Sequence, residues 1–312
     1  MKKMYLILPC YNEEEIIEDS IKKLTKKIDE LIKAKKISKD SKMVFVDDGS
    51  KDKTWSIIKK NSVKNKYINA IKFSSNRGHQ IAVLAGLNYC TNKCDYTISL
   101  DSDLQQDINA IDLFIEKYNN GNDIVYGVRN SRNTDSFFKK FTSQLFYKIM
   151  KFFGCDIIPN HADYRLVSNK VLIELLKYKE ESVFLRGLFP TMGYKNDIVY
   201  FDVFERSAGK SKYTIKKMLK LAKDGITSFS TLPLQMILYF GILILVMSLC
   251  LLVQYFFVKN LIMLYFGIAL LPSSFVIICM GILAQYAGQI YSEVKKRPRY
   301  LIEEIINEEI FK

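Results

Sequence analysis

Fourteen glycines occur in this chain of 312 residues, yet no two stand one residue apart. Without a Gly-x-Gly pair there is neither a Rossmann fingerprint nor a Walker phosphate loop. Any phosphate the chain handles must then be held by a metal ion and side chains. Cysteine is sparse: the six (10, 90, 94, 155, 250 and 279) include no Cys-x-x-Cys pair. They fit reduced thiols rather than a disulfide framework. Cys90 and Cys94, four apart on an expected helix, read as packing residues. The only histidines, His79 and His161, have no metal-ligand partner at useful spacing and read as structural or loop residues. Met1 to Cys10 is too briefly apolar for a signal peptide and runs into Glu13-Glu14-Glu15. The N-terminal part is therefore expected to stay on the side where it is made. No recognised nucleic-acid module accompanies the formal charge of +13, so nucleic acid is not an expected partner.

What the chain does have is two uncharged apolar segments, Leu232 to Val258 and Leu261 to Ser292, interrupted only by Lys259 and Asn260. Each exceeds the roughly 20 residues that span a bilayer, and Pro233 and Pro272 are tolerated in such helices. Lys210, Lys212, Lys216, Lys217, Lys220 and Lys223 precede them, and Lys295, Lys296, Arg297 and Arg299 follow. Basic flanks on both sides predict a two-helix transmembrane hairpin in the cytoplasmic membrane, with both termini and the N-terminal part cytoplasmic. Residues 137–153 and 213–231 alternate aromatic or apolar positions with lysines, a pattern for helices at the headgroup boundary. For 137–153 a surface helix packed on the core fits the pattern equally. The tail from Tyr300 reads as a short amphipathic helix.

The N-terminal part alternates short β-favouring runs with helical periodicity. Strands are expected at Met4 to Leu8, Met43 to Val46, Asn69 to Phe73, Tyr96 to Leu100 and Asp123 to Val128. Between the first two lies a helix with Ile16, Ile17, Ile21, Leu24, Ile28, Leu31 and Ile32 at roughly helical spacing. Ser50 or Asp52 is expected to cap a helix containing Trp55, and another opens at Asn76-Arg77-Gly78-His79-Gln80. This alternation predicts an α/β fold with a doubly wound, mostly parallel sheet. Functional residues of such sheets gather at the carboxyl ends of strands, where Tyr11, Asp47, Asp48, Asp101, Asp103 and Arg129 fall.

The richest of those ends is Asp101-Ser-Asp103-Leu-Gln105-Gln-Asp107. An isolated Asp-x-Asp is ordinarily a solvated turn. Here two carboxylates spaced to share one side of a strand end suit Mg²⁺ or Mn²⁺, which take one or two carboxylates plus substrate phosphates. Gln105 can add an amide oxygen, and Asp107 can cap the helix that follows.

Four segments carry a family resemblance: Pro9-Cys-Tyr11-Asn-Glu13, Val46-Asp47-Asp48-Gly49-Ser50, Asp101-Ser-Asp103-Leu-Gln105 and Arg206-Ser-Ala-Gly209-Lys-Ser211-Lys212-Tyr213. In order and spacing they resemble family 2 glycosyltransferases of the GT-A fold. More narrowly, with two C-terminal spans, the chain looks like the polyprenyl-phosphate glycosyltransferases. These include dolichyl-phosphate mannosyltransferases and bacterial bactoprenol glucosyltransferases. Asp107 departs from the proline of many relatives, and either residue can begin a helix.

The resemblance implies an inverting transfer of a hexose from a nucleotide diphosphate sugar to polyprenyl (undecaprenyl) phosphate. UDP-glucose is the favoured donor; GDP-mannose or another sugar is the alternative. Asp101, Asp103 and Gln105 would hold the metal, and Asp47 or Asp48 would accept from the base in a pocket lined by Pro9, Tyr11 and Glu13. A phosphate monoester, with a second pKa near about 6, is already nucleophilic at neutral pH, so cations to dock it matter more than a base. Arg129, Arg206 and Lys212, with Ser211 as neutral donor, are the candidates. Asp163, in Ala162-Asp163-Tyr164-Arg165, is read as a catalytic residue that orients the acceptor or acts as base, or else as a salt-bridge partner of Arg165. The expected division is a nucleotide-sugar and metal core (1–130), an acceptor region (131–231), the two spans (232–292) and a cytoplasmic tail (293–312). Homo-oligomerisation is left open. Processive polysaccharide synthases share the core but carry a Gln-x-x-Arg-Trp motif, and the one tryptophan here is Trp55 in Lys-Thr-Trp-Ser. A non-catalytic membrane-bound binding protein would not need the acidic pair.

Overall fold

The computed structural model describes residues 1–130, 158, 161–178, 184–202 and 297–307, with isolated helical positions between 265 and 294. Met4–Cys10 (β1) is buried at every position, as its unbroken apolar sequence requires of a strand covered on both faces. Lys42–Asp47 (β2), Ile68–Phe73 (β3) and Tyr96–Ser99 (β4) join it in a parallel block, β1 pairing with both β2 and β4. Ile17–Lys33 (α1), Thr54–Lys64 (α2) and His79–Cys90 (α3) are the intervening helices. A 3-10 turn at Ile108–Ala110 and the helix Ile111–Asn119 (α4) lead to Ile124–Arg129 (β5).

The sheet is completed by segments that show little strand character in isolation. His161–Ser168 (β6) lies between β4 and β5, antiparallel to both. Helices Asn169–Leu175 (α5) and Leu185–Thr191 (α6) follow, then Asn196–Phe201 (β7), parallel to β5. At the far edge Ile302–Ile306 (β8) pairs antiparallel with β3, so the strand order is β7-β5-β6-β4-β1-β2-β3-β8. The helix expected from Tyr300 is thus a strand over these residues. Its glutamates and isoleucines permit either state locally; the unpaired backbone edge of β3 decides for the strand.

Strand alternation divides the core between the two faces. Leu6, Leu8 and Phe45 pack with Ile17, Ile21, Leu24 and Phe114 of α1 and α4. Tyr5, Ile7, Val44 and Val46 pack with α3, α5 and α6 on the other face. Helix α3 lies so close to β1 that a Cβ on Gly86 would stand 2.4 Å from Ile7 Cγ2. Only glycine fits there. The carboxyl ends of the parallel strands carry the site.

Among the described residues no helix is long and apolar enough to cross a membrane. The expected hairpin at 232–292 lies outside them, apart from the isolated helical positions. The lysine-aromatic segments 137–153 and 213–231 also lie outside.

Candidate active site

The first part of the site is built where β1 and β2 end. Pro9 is buried, and Asn12 turns the chain with φ of 51°. Asn12 N–H donates to Ser50 Oγ at 2.9 Å, Lys51 N–H to Asn12 Oδ1 at 2.9 Å, and Glu13 N–H to Thr54 Oγ1 at 2.8 Å. These bonds tie the Pro9–Glu13 segment to the start of α2, with Tyr11 half-buried beside it.

Asp47 is fully buried, and its Oδ1 accepts from the N–H and hydroxyl of Ser50. Burial pushes its pKa up against those bonds. Asp48 is committed elsewhere: Oδ1 accepts from Arg77 N–H at 2.6 Å and Oδ2 from Gly78 N–H at 2.8 Å. Burial also raises its pKa, and the two N–H groups oppose the rise. Asp48 therefore anchors the loop after β3. Of the two residues expected to cap α2, Ser50 serves Asp47 instead. The N-cap itself is Lys53, with no side-chain cap bond, and Asp52 stands one residue before it, its Oδ1 accepting from Thr54 N–H at 3.0 Å. Gly49 has φ of 69°, and a Cβ there would stand 2.7 Å from the Ser75 carbonyl carbon. Both the backbone conformation and the close approach require glycine.

The acidic pair lies just past β4, in a turn rather than on the strand, so strand alternation is not what aligns it. Leu104 takes φ of 48°, a left-handed conformation that is strained for a non-glycine residue. Its N–H donates to Asp101 O at 3.2 Å, closing the turn. Gln105 is half-buried, and its backbone N–H donates to Asp103 Oδ1 at 3.2 Å. The buried amide is that of Gln106. Its Nε2 donates to Asp101 Oδ2 at 2.8 Å, while its Oε1 accepts from Asp101 N–H at 3.1 Å. Asp107 caps the 3-10 turn, accepting from Asn109 N–H at 2.9 Å.

Strand β6 brings a second acidic centre to the same place. Asp163 accepts from Arg186 Nε at 3.0 Å and Nη2 at 2.8 Å, and His79 Nε2 lies 3.2 Å from its Oδ2. His79 also lies 3.7 Å from Asp101 Oδ1. Burial would raise the pKa of Asp163, but Arg186 and His79 hold it well below the usual carboxylate range. Burial would lower the imidazole of His79, but its hydrogen bond to Asp163 and the charge of Asp101 hold it above its ordinary value. Asp101 is pushed up by burial; His79 and Arg129 pull it down, while Asp163 and Asp103 raise it. Arg129, at the end of β5, is therefore within electrostatic reach of the acidic turn.

The expected partnership of Asp163 with Arg165 is replaced by Arg186. Arg165 is buried against Phe189, 4.4 Å from the ring centroid, with Nη2 2.8 Å from His161 Nε2. Gln106 and Arg186 have no role in the sequence reading, and His79, which that reading takes as a structural or loop residue, instead lies against Asp163 and near Asp101. His79 could have been found, since it follows the end of β3 as the acidic pair follows β4. Gln106 is told from Gln105 only by the turn, and Arg186 has no local signal. Arg206, Ser211 and Lys212 lie outside the described residues.

Among the described residues no group of three or more His, Cys, Asp or Glu is arranged to hold a metal ion. The donors in electrostatic reach of each other are two half-buried carboxylates, hard oxygen ligands left accessible in a turn. That set fits Mg²⁺ or Mn²⁺ completed by substrate oxygens, and it does not fit a metal caged by protein alone.

A family described as Glycosyl transferase family 2 matches residues 5–176. An uncharacterized glycosyltransferase of Bacillus subtilis, YkoT, is 44% identical, the match covering 98% of this chain and 93% of that protein. A bactoprenol glucosyl transferase of Shigella phage SfX is 36% identical over 96% of this chain and 98% of its own length. Among solved structures, glucosyl-3-phosphoglycerate synthase from Mycobacterium tuberculosis aligns at 16% identity with a TM-score of 0.46. That alignment covers 72% of this chain and 78% of the other.

Proposed function

The chain belongs to glycosyl transferase family 2 and is a glycosyltransferase, and we propose that it moves a hexose from a nucleotide diphosphate sugar to polyprenyl phosphate. Glucose from UDP-glucose is the favoured substrate, because relatives matching nearly the whole chain are named bactoprenol glucosyl transferases. The observation that carries the chemistry is the meeting of Asp101, His79, Asp163 and Arg186 at the carboxyl ends of the strands, with Asp103 in electrostatic reach of Asp101.

Asp101 and Asp103, with Gln105 as a further donor, would hold Mg²⁺ or Mn²⁺, which when bound offsets the charge building on the departing diphosphate. Gln106 fixes the Asp101 carboxylate from behind. The Pro9–Glu13 segment and the Asp47–Asp48 turn form the side on which the base is held. An acceptor phosphate oxygen attacks the anomeric carbon while the bond to the nucleotide diphosphate breaks with its electron pair. One displacement inverts the configuration. Arg129 docks the acceptor phosphate, and Arg206, Lys212 and Ser211 are the further groups the sequence offers for it. Asp163 orients the site as a carboxylate whose pKa Arg186 and His79 hold well below the usual range.

The acceptor is a lipid, and the two apolar segments are read as its membrane hairpin in the cytoplasmic membrane, both termini cytoplasmic. Val276, Met280, Leu283, Ile290 and Val294 are helical and each more than half exposed. Exposed apolar side chains in an uncharged segment suit contact with lipid.

The test is a screen of labelled nucleotide sugars against the purified full-length protein with undecaprenyl phosphate. UDP-glucose should yield labelled lipid, and Asp103→Asn or excess EDTA should abolish it. Labelling from another nucleotide sugar alone would reassign the donor, and no lipid labelling from any of them would overturn the reading.

A further inference from the structure

The segment after the second apolar stretch returns to the sheet beside the donor site. Strand β8 is antiparallel to β3, with Ile302 opposite Phe73 and Ile306 opposite Ala70. The chain therefore enters the sheet at the carboxyl end of β3, the end that carries the site. Just before β8, Tyr300 stacks on Phe73 with ring centroids 4.9 Å apart and planes 13° apart. Its hydroxyl accepts from Asn88 Nδ2 at 3.4 Å. Leu301 O accepts from Ser74 N–H at 3.0 Å, and Arg299 Nη2 donates to Tyr178 O at 2.9 Å. Further along, Glu304 accepts from Trp55 Nε1 at 2.9 Å and pairs with Lys59, and Glu303 pairs with Lys72.

The residues held in this way lead directly into the loop that Asp48 grips. Phe73 and Ser74 carry the tail on their outer side. Three residues on, Arg77 and Gly78 give Asp48 both its hydrogen bonds, while Ser75 and Asn76 press on Gly49. The loop is thus held from two sides, by the β2 turn within and by the returning tail without.

We propose that Tyr300 and β8 are a positioning strap for donor binding, holding the 74–78 loop against Asp48. The proposal rests on reading that turn as part of the nucleotide-sugar site.

The test uses the full-length protein with Tyr300→Ala and Tyr300→Phe. Losing the stacked ring should raise donor KM about tenfold, while KM for polyprenyl phosphate stays within about twofold. Tyr300→Phe keeps the ring and should remain near wild type. Amide exchange at 74–78, measured without any ligand, should accelerate in Tyr300→Ala alone. Exchange reads the strap whatever the donor is, so its outcome is separate from the success of the donor reading. If Tyr300→Ala does not fold, the pair Glu303→Lys and Glu304→Lys sets like charges against Lys72 and Lys59 and should loosen the strand the same way. Unchanged loop exchange overturns the proposal. An equal change in both KM values reduces β8 to a structural edge and overturns it as well.

Discussion

Arg186 grips Asp163 with two parallel hydrogen bonds, Nε to Oδ1 at 3.0 Å and Nη2 to Oδ2 at 2.8 Å. With His79 against Oδ2 as well, the carboxylate has a partner on each oxygen and stays ionised far below neutral pH. Such a group is a poor base. If it acts by orientation, Asp163→Asn and Arg186→Gln should each cost about ten- to a hundredfold in transfer, and the double variant should lose little more than either alone. A general base would give another pattern, with Asp163→Asn far worse than Arg186→Gln. Steady-state rates of the four proteins distinguish the two.

Gln106, although not a proposed ligand, should matter more than its position suggests. It holds Asp101 from both the backbone and the carboxylate. Loss of such a supporting contact typically weakens metal affinity about ten- to a hundredfold. Gln106→Ala should therefore raise the half-saturating Mn²⁺ concentration by at least about tenfold. The companion Gln105→Ala reads the proposed amide ligand. If that variant alone shifts the metal titration, the assignment of Gln106 is wrong.

Stability should depend on pH through Asp112, which joins α1 to α4 by accepting from Lys27 Nζ at 2.6 Å and from Lys36. Burial alone would raise its pKa; the two ammonium groups outweigh burial and hold it below the usual value. A depressed folded pKa lends stability above the unfolded value of about 3.9, and that stability is lost as pH falls through the folded value. Asp112→Asn should cost about 1–3 kcal/mol at pH 7. It leaves Lys27, whose side chain is 8% exposed, with Asn109 Oδ1 at 3.3 Å. Urea unfolding of the two proteins should draw together as the pH falls below the unfolded value of about 3.9 and on through the lower folded value. An undiminished gap there would assign the loss to packing.

Topology is open to a direct test. Reporters fused at Lys259 and at Lys312 should report opposite sides of the membrane, with Lys312 cytoplasmic. Reports from the same side would remove the hairpin.

Much of the site was legible because its residues follow strand ends, and strand ends are marked by an apolar run stopping at polar residues. Ile98-Ser99-Leu100-Asp101 and Phe45-Val46-Asp47-Asp48 are such marks. The Asp48 anchor was not legible. Its partners are the backbone N–H groups of Arg77 and Gly78, and a main-chain donor has no sequence signal.

The sequence by itself determined the alternation of buried strands and amphipathic helices, the acidic turn after β4 and the family. Each rests on local periodicity or on short contiguous motifs that survive any tertiary arrangement. Only the tertiary structure decided that Asp163 meets Arg186 and His79 rather than Arg165, that Gln106 supports Asp101, and that 302–306 is an edge strand. Those outcomes depend on which distant elements pack together. Strand β6 is inserted between β4 and β5 to deliver Asp163, and β3 offers an open edge that converts an ambiguous tail into β8.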